Sequence, residues 1–277
     1  MKRLWLRFVQ QNQKFLIENR GFIKGHTSGL RIATFWFFCK HNKVFKLYSY
    51  LIRKKHSFAI NRIDVNISEK FKDIPGEKFY VEIGANDGVS QSNTKYLELY
   101  DGWKGILIEP IPSVFKKLQK NRAAYNFFEN SACCSFEFTS PYMSLMYANL
   151  MTVSLEGESD LQDRLQHAIV GAGSLDLADK IHKFTVKAST MNSILLKHGA
   201  PRVIDFLSLD VEGSEIEVLK GIDFHKFVFK YICVETRSFE TIEKFLASHE
   251  YEFLEKLTSG ISHSDYLFRH VGKFLNH

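Results

Sequence analysis

An acid, a glycine turn and a second acid fall at spacings that suit a nucleoside-type ligand. In Phe79-Tyr-Val-Glu-Ile-Gly-Ala-Asn-Asp-Gly88, residues of strand character run into a Gly-x-x-x-Gly turn, with Glu82 two positions before Gly84. A strand that stops at such a turn and feeds a helix can offer backbone N–H groups and its own carboxyl end to a ligand. Glu109 closes the next apolar run, Gly105-Ile-Leu-Ile-Glu109, 21 residues beyond Gly88. An acid about 20 residues past the glycine turn is where a ribose diol is held. Asn86 stands where a G-x-G turn needs glycine, which counts against NAD and leaves a nucleoside ligand with a different tail.

Ligands of open α/β sheets bind outside the carboxyl ends of the strands. A third strand end carries Asn130, Ser131 and Ala132, a fourth Asp210-Val-Glu212-Gly213, and a fifth Glu235-Thr-Arg237. Asp210 and Glu212 are two apart, so they share a face if the strand is still extended. Two carboxylates near a cofactor could raise one another's pKa and leave a usable base. The alternative is that Asp210 holds the cofactor and Glu212 caps the next helix, where an acid is favoured. His182, His198 and Glu235 are further candidates for the base. The eleven histidines show no H-x(3–5)-H pairing, so no metal site is expected. Cys39, Cys133, Cys134 and Cys233 show no C-x-x-C spacing, which suits a reduced, cytoplasmic chain.

These residues need a scaffold. From Lys78 the pattern alternates strand and helix, with strands expected at 78–83, 105–109, 127–132, 203–210 and 228–235. Helices are expected at 90–99, 113–123, 190–198, 214–220 and 239–248. Ser214 with Glu217 reads as a capping box, Gly221 suits the position after the helix, and Ser238 reads as a cap. The segments 251–257 and 264–270 read as an antiparallel hairpin. Such alternation gives an α/β fold, a mostly parallel sheet with helices on both faces. Between about 136 and 187 the rhythm breaks, and an insertion this long is expected to be a binding element or lid.

The chain has 277 residues, 45% hydrophobic and 25% charged, which are globular values. Its net charge of +6 hides an asymmetry. Residues 1–57 hold 13 Lys/Arg against one acid, Glu18, a balance of +12; the remainder holds 24 against 30, or −6. Aromatics interleave with those bases, as in Phe35-Trp-Phe-Phe38, and apolar residues 44, 45, 48, 51 and 52 mark one helix face. Every apolar run is too short to span a bilayer, and no continuous apolar region precedes a small-residue cleavage site, which argues against a signal peptide. Two expectations stay open for residues 1–57: a helical cap on the body at 58–277, or helices lying on an anionic membrane at the cytoplasmic face.

Val81-Glu-Ile-Gly-Ala-Asn-Asp-Gly88, Ile108-Glu-Pro110 and Ile204-Asp-Phe-Leu-Ser-Leu-Asp-Val-Glu-Gly-Ser-Glu-Ile-Glu-Val-Leu-Lys-Gly221 resemble the FkbM-type methyltransferases. Asp265-Tyr-Leu-Phe268 fits the last strand of that family. The resemblance covers about 78–270. It implies a seven-stranded class I (Rossmann-like) fold using S-adenosylmethionine, with O-methylation of a sugar or polyketide hydroxyl the usual reaction. It further implies that Glu82 and the run Gly84, Ala85, Asn86, Asp87 and Gly88 hold the methionine end, and Glu109 the ribose diol. Ser131 and Ala132 would border the adenine, and Asp210 would sit near the sulfonium. Ser208 departs from the pattern, which often has Lys there. The expected reaction is methyl transfer to a hydroxyl of a glycan or glycolipid precursor, with Asp210 and Glu212 as the first candidates for the catalytic base. The alternatives are a polyketide or amino-sugar methyltransferase, or a non-catalytic module that binds the cofactor and docks on membrane or nucleic acid. The aromatic faces suit a bilayer surface better than nucleic acid.

Overall fold

The computed structural model describes residues 55–148, 151–172, 181–260 and 263–272. The expectations for the basic segment before Lys55 lie outside the described residues.

The main sheet has seven strands. They are β1 (Phe79–Ile83), β2 (Lys104–Ile108), β3 (Phe127–Glu129), β8 (Val203–Leu209), β9 (Val228–Thr236), β10 (Tyr251–Lys256) and β11 (Ser264–His270). Their spatial order is β10-β11-β9-β8-β1-β2-β3. Pairings from β3 to β9 are parallel, while β11 runs antiparallel between β9 and β10. This is the class I arrangement, with the last strand inserted beside the hairpin partner that precedes it. All five residues of β1 are buried, as a strand covered on both faces requires. The pleat then divides the core. Phe79, Val81 and Ile83 face α5 (Met191–Lys197), α6 (Glu215–Leu219) and α7 (Phe239–Ala247). Tyr80 faces α1 (Ile63–Phe71), α2 (Lys95–Asp101) and α3 (Pro112–Asn121). Strand order reverses between β1 and β8, the switch point at which such sheets open a crevice.

The segment expected to be a lid is a second sheet. It contains β4 (Ala132–Cys134), β5 (Tyr142–Tyr147), β6 (Val153–Ser154) and β7 (His182–Thr190), in the order β4-β7-β5-β6, with α4 (Arg164–Ala172) alongside. The strand expected over 127–132 therefore splits. Its first part is β3 of the main sheet, and Asn130 and Ser131 carry the chain into β4 of the second.

Three helix-end readings are corrected. The helix expected at 90–99 begins only at Lys95, because the hydroxyls of Ser92 and Thr94 and the N–H of Asn93 are drawn to the Glu82 carboxylate. Ser214 and Ser238 occupy N-cap positions but make no side-chain cap bond. Glu217 closes no capping box, since its carboxylate accepts the N–H groups of Ser135 and Glu158. Gly221 does follow α6, but for space: a Cβ there would lie 2.1 Å from the Cys134 carbonyl oxygen. Thr190 does cap α5, accepting the Ser193 N–H.

Candidate active site

The turn after β1 is built by hydrogen bonds that close on themselves. Gly84 N–H and Ala85 N–H both donate to the Ile108 carbonyl, Asn86 N–H to Glu109 Oε2, and Gly88 N–H to the Ala85 carbonyl. Asp87 Oδ1 accepts the N–H groups of Val89 and Ser90. The N–H groups of Gly84, Ala85, Asn86 and Gly88, expected to be offered to a ligand, are thus engaged within the protein. What the turn provides is close backbone approach. Gly84 has φ +80, and a Cβ there would lie 1.8 Å from the Asp210 carbonyl oxygen. Only glycine lets the ends of β1 and β8 meet at the switch point.

Glu82 is likewise spoken for. Its carboxylate accepts from Ser92 Oγ, Asn93 N–H, Thr94 Oγ1 and Arg122 Nη1. Arg122 is fully buried; its Nε meets Glu98 Oε2 at 2.7 Å and its Nη2 meets Tyr80 Oη at 2.7 Å. Lys95, also fully buried, completes the network on Glu98 and the Asn121 carbonyl. Glu82 lines the cavity wall, but its carboxylate organises the loop rather than reaching for a ligand.

The cavity at the switch point measures about 1030 Å³ out to its open mouth. Gly84, Ala85, Asn86 and Glu109 line it from the β1 and β2 ends, whereas Asp87 and Gly88 stand behind the turn. Ser131 and Ala132 line it from the crossing between sheets, and Asp210 and Glu212 from the end of β8. Met143, Leu145, Thr152 and Ser154 of the second sheet and its β5–β6 connection form the opposite wall. Ser131 Oγ is wholly buried with no hydrogen-bond partner among the described residues. Glu109 holds the N–H groups of Asn86 and Ile111, and burial pushes its carboxyl up to about 7. These features fit a nucleoside: an acid with spare acceptor capacity, a buried hydroxyl seeking a partner, and apolar side chains across the gap.

Beyond Asp210 the strand has ended, so the spacing argument for a shared face does not hold. Glu212 has φ 53, a left-handed conformation rare for a glutamate. Asp210 and Glu212 nevertheless converge, and with Glu235 they bring carboxylate oxygens within 4.8 Å of one another. That is the one group among the described residues whose reach would suit a shared cation. Glu212 Oε2, however, already meets His167 Nε2 at 3.0 Å and Arg237 Nη2 at 3.2 Å, so Arg237 supplies positive charge from within. His167 comes from α4, in the segment whose pattern was unreadable, and no sequence motif pointed to it. His182 and His198 do not line the cavity; His198 Nε2 pairs with Glu129 at 3.0 Å. Glu235 lies beside the pair, with His263 at 3.5 Å. Ser208, in the lysine position of the family pattern, accepts a hydrogen bond from Asn93 Nδ2.

The acids of this quarter share one direction of shift. Burial, then the charge of Asp265, pushes Glu235 up to about 8. Burial pushes Glu215 up to about 7, and burial with the charge of Glu235 raises Asp210. Each binds its proton more tightly folded than unfolded. That stabilisation is complete below the ordinary glutamate value of 4.5 and is lost as pH rises through 7 to 8. Glu98 runs the other way. Burial would raise it, but Arg122 and Lys95 hold it at about 2, so its contribution is lost only as pH falls toward 2. The ligand-free protein is therefore expected to melt highest near about pH 5 and several degrees lower by about pH 8.5. Differential scanning fluorimetry across that range checks this, and Glu235→Gln should flatten the alkaline fall. A flat wild-type profile would mean that the acids are solvated.

A family model described as the methyltransferase FkbM domain matches residues 82–261. Methyltransferase sdnD of Sordaria araneosa is 27% identical over 206 residues, which are 65% of this chain and 77% of that protein. The N-terminal domain of human METTL16 in complex with SAH is 12% identical, with 76% of this chain and 68% of that one covered at a TM-score of 0.42. TrmK of M. capricolum, in complex with the cofactor product S-adenosyl-homocysteine, is 11% identical over 76% and 70%, at a TM-score of 0.41.

Proposed function

Since the chain belongs to the FkbM methyltransferase domain family and is an S-adenosylmethionine-dependent methyltransferase, we propose that it methylates a hydroxyl of a glycan or glycolipid precursor. One observation carries the reading. A single cavity joins the Glu109 and Ser131 side of the switch point to the Asp210–Glu212 pair, so a nucleoside and an acceptor can meet in it. When bound, the cofactor supplies an electrophilic methyl group on a sulfonium. Glu109 would hold the ribose diol, Ser131 and Ala132 border the base, and Gly84 to Asn86 pack against the methionine end. Asp210, whose proton burial and the charge of Glu235 hold in the ligand-free protein, would ionise beside the positive sulfur and stabilise it. Much of the acceleration then comes from holding the acceptor oxygen in line with the methyl group. Glu212, oriented by His167 and Arg237, serves the acceptor side.

Glu109→Ala is expected to weaken binding of S-adenosylhomocysteine by about 1–3 kcal/mol, the cost of unpaired polar groups. Calorimetry on the folded variant measures this. No heat from the wild-type chain with either form of the cofactor would overturn the reading. The acceptor class is tested by mass spectrometry of surface glycans from cells with and without the chain. Loss of one methylene's mass per site supports a glycan acceptor. Unchanged glycans, with labelled methyl appearing in a small lipophilic product, would support the polyketide or amino-sugar alternative.

The basic segment before Lys55 supports a peripheral membrane role. No helix among the described residues is long and apolar enough to cross a bilayer. Each base near an anionic leaflet is worth about 1 kcal/mol, so attachment should be reversible by salt. Full-length chain is expected to sediment with liposomes containing acidic lipid and to come off as salt rises. A chain beginning at Lys55 should stay in the supernatant and still bind the cofactor. Full-length protein indifferent to acidic liposomes would make the segment a packing element instead.

A further inference from the structure

We propose that Tyr147, His182 and Phe184 form a stacking platform for a sugar ring of the acceptor, held just outside the cavity while the neighbouring sugar is methylated within it. The proposal rests on the methyl-transfer reading above and names the part of the acceptor that the second sheet grips.

The pleat of that sheet places the rings. Successive side chains of a strand point to opposite faces, so Met143, Leu145 and Tyr147 share one face of β5. Met143 and Leu145 are buried and line the cavity. On one side of β5, β7 sets Val186 opposite Met143, Phe184 opposite Leu145 and His182 opposite Tyr147. Directly opposed residues lie on the same face of the pair. On the other side, β6 sets Ser154 opposite Leu145, and both Ser154 and Thr152 line the cavity. The face that walls the cavity therefore runs on into the three rings. Tyr147 stands two residues past Leu145, about 7 Å further along the strand.

The face opens outward as it goes. Met143, Leu145 and Val186 are buried, Phe184 and Tyr147 are half-buried, and His182 is exposed. The ring centroids lie 5.2 Å apart for Tyr147 and His182, 5.8 Å for His182 and Phe184, and 6.5 Å for Tyr147 and Phe184. These are the spacings of aromatic rings in contact. Phe184 packs against Met143, Leu145 and Val186, which anchors the group to the cavity wall. Lys183, Thr185 and Lys187 alternate with His182, Phe184 and Val186 and are exposed. The strand thus sorts its rings to the cavity's face and its charges to the other.

The chemistry of the platform selects its occupant. A pyranose has a face of C–H groups and a rim of hydroxyls. Tyrosine and histidine match it, each with an apolar ring body and a polar edge. A polyketide chain would be met best by aliphatic side chains throughout, but this face stops being aliphatic at Leu145. Because the three rings lie beyond the cavity lining, a single sugar at the methyl group would not reach them. A chain of two or more sugars would occupy both places.

The test uses the full-length chain and oligosaccharides released by mild acid from the surface glycans of the cells that carry it, separated into single sugars and longer chains. Saturation-transfer NMR in the presence of S-adenosylhomocysteine reads binding without turnover. Irradiating the aromatic protons should saturate the C–H protons of the longer chains. Tyr147→Leu and His182→Ala should each weaken that binding on the order of tenfold. Tyr147→Phe, which keeps the ring, should stay within a few-fold of the wild type. With labelled S-adenosylmethionine, the same two losses should appear as a raised KM for the longer chains and a far smaller change in kcat. The KM for single sugars should barely move. Retained affinity for S-adenosylhomocysteine shows that each variant is folded, and the exposed His182 can be replaced even if Tyr147 cannot. Equal binding of the longer chains by the wild type and His182→Ala, or no saturation in the wild type, overturns the proposal. Methyl transfer to a lipophilic product alone overturns it together with the glycan acceptor. Failure of the wild-type chain to bind the cofactor overturns the methyl-transfer reading instead.

Discussion

Arg122→Met is expected to destabilise the protein by about 3–5 kcal/mol, the cost of removing one partner from a buried ion pair. Arg122 has no exposed side-chain surface and pairs with two carboxylates, Glu82 and Glu98. Lys95 also pairs with Glu98. Methionine would fill much of the volume and leave Glu82 charged and buried. That acid would then take a proton or release Ser92, Asn93 and Thr94, which it now holds. Urea unfolding at neutral pH measures the loss. The variant should regain part of it in acid, where Glu82 can be neutral. A cost under about 1 kcal/mol would mean that the network is replaceable by ordinary packing.

Gly84→Ala is expected to cost at least a tenfold loss of cofactor affinity, about 1.4 kcal/mol or more. The left-handed backbone alone disfavours a side chain by about 1–2 kcal/mol. The new methyl group would also displace the carbonyl of Asp210, which sits 1.8 Å from its ideal position. Asp210 would move with its own backbone, so the cofactor floor changes even if the fold survives. Gly76→Ala is the matched control: its φ is +92, with nothing within 4 Å of the added carbon. It should lose stability and leave cofactor affinity intact. Equal affinity in the Gly84 and Gly76 variants would show that the approach of β1 to β8 is not what shapes the site.

Strand ends were legible because parallel buried strands write themselves as apolar runs that stop at a polar residue. Ile83, Ile108 and Leu209 end β1, β2 and β8, and the residues just beyond each form the cavity. Which acid does what was not legible. Glu82 resembles a ligand-binding acid until Arg122, forty positions away, is found on it. Glu212 looked like a strand neighbour of Asp210, but a left-handed turn intervenes, and proximity comes through folding back rather than through pleat. The insertion defeated pattern reading because its sheet is small and half exposed, as β7 shows, with buried positions too sparse to mark a period. His167 was invisible for the same reason: a lone histidine in a short helix acquires meaning only when Glu212, 45 positions on, reaches it. Serine caps at 214 and 238 were legible as positions and not as bonds, for neither hydroxyl makes a cap bond.

In the second sheet the first strand, β4, lies directly beside the last, β7. Ala132 pairs with Ala188 and Cys134 with Thr190, in parallel register. A segment whose ends lie one strand apart makes little demand on what spans them, and insertions are tolerated best at such places. The cavity wall formed by Met143, Leu145, Thr152 and Ser154 is therefore an exchangeable cassette, mounted on strand ends of the main sheet that stay fixed. Descendants of such a gene can reshape that wall by rewriting the stretch between Cys134 and His182 without relearning how to fold or how to hold the methyl donor.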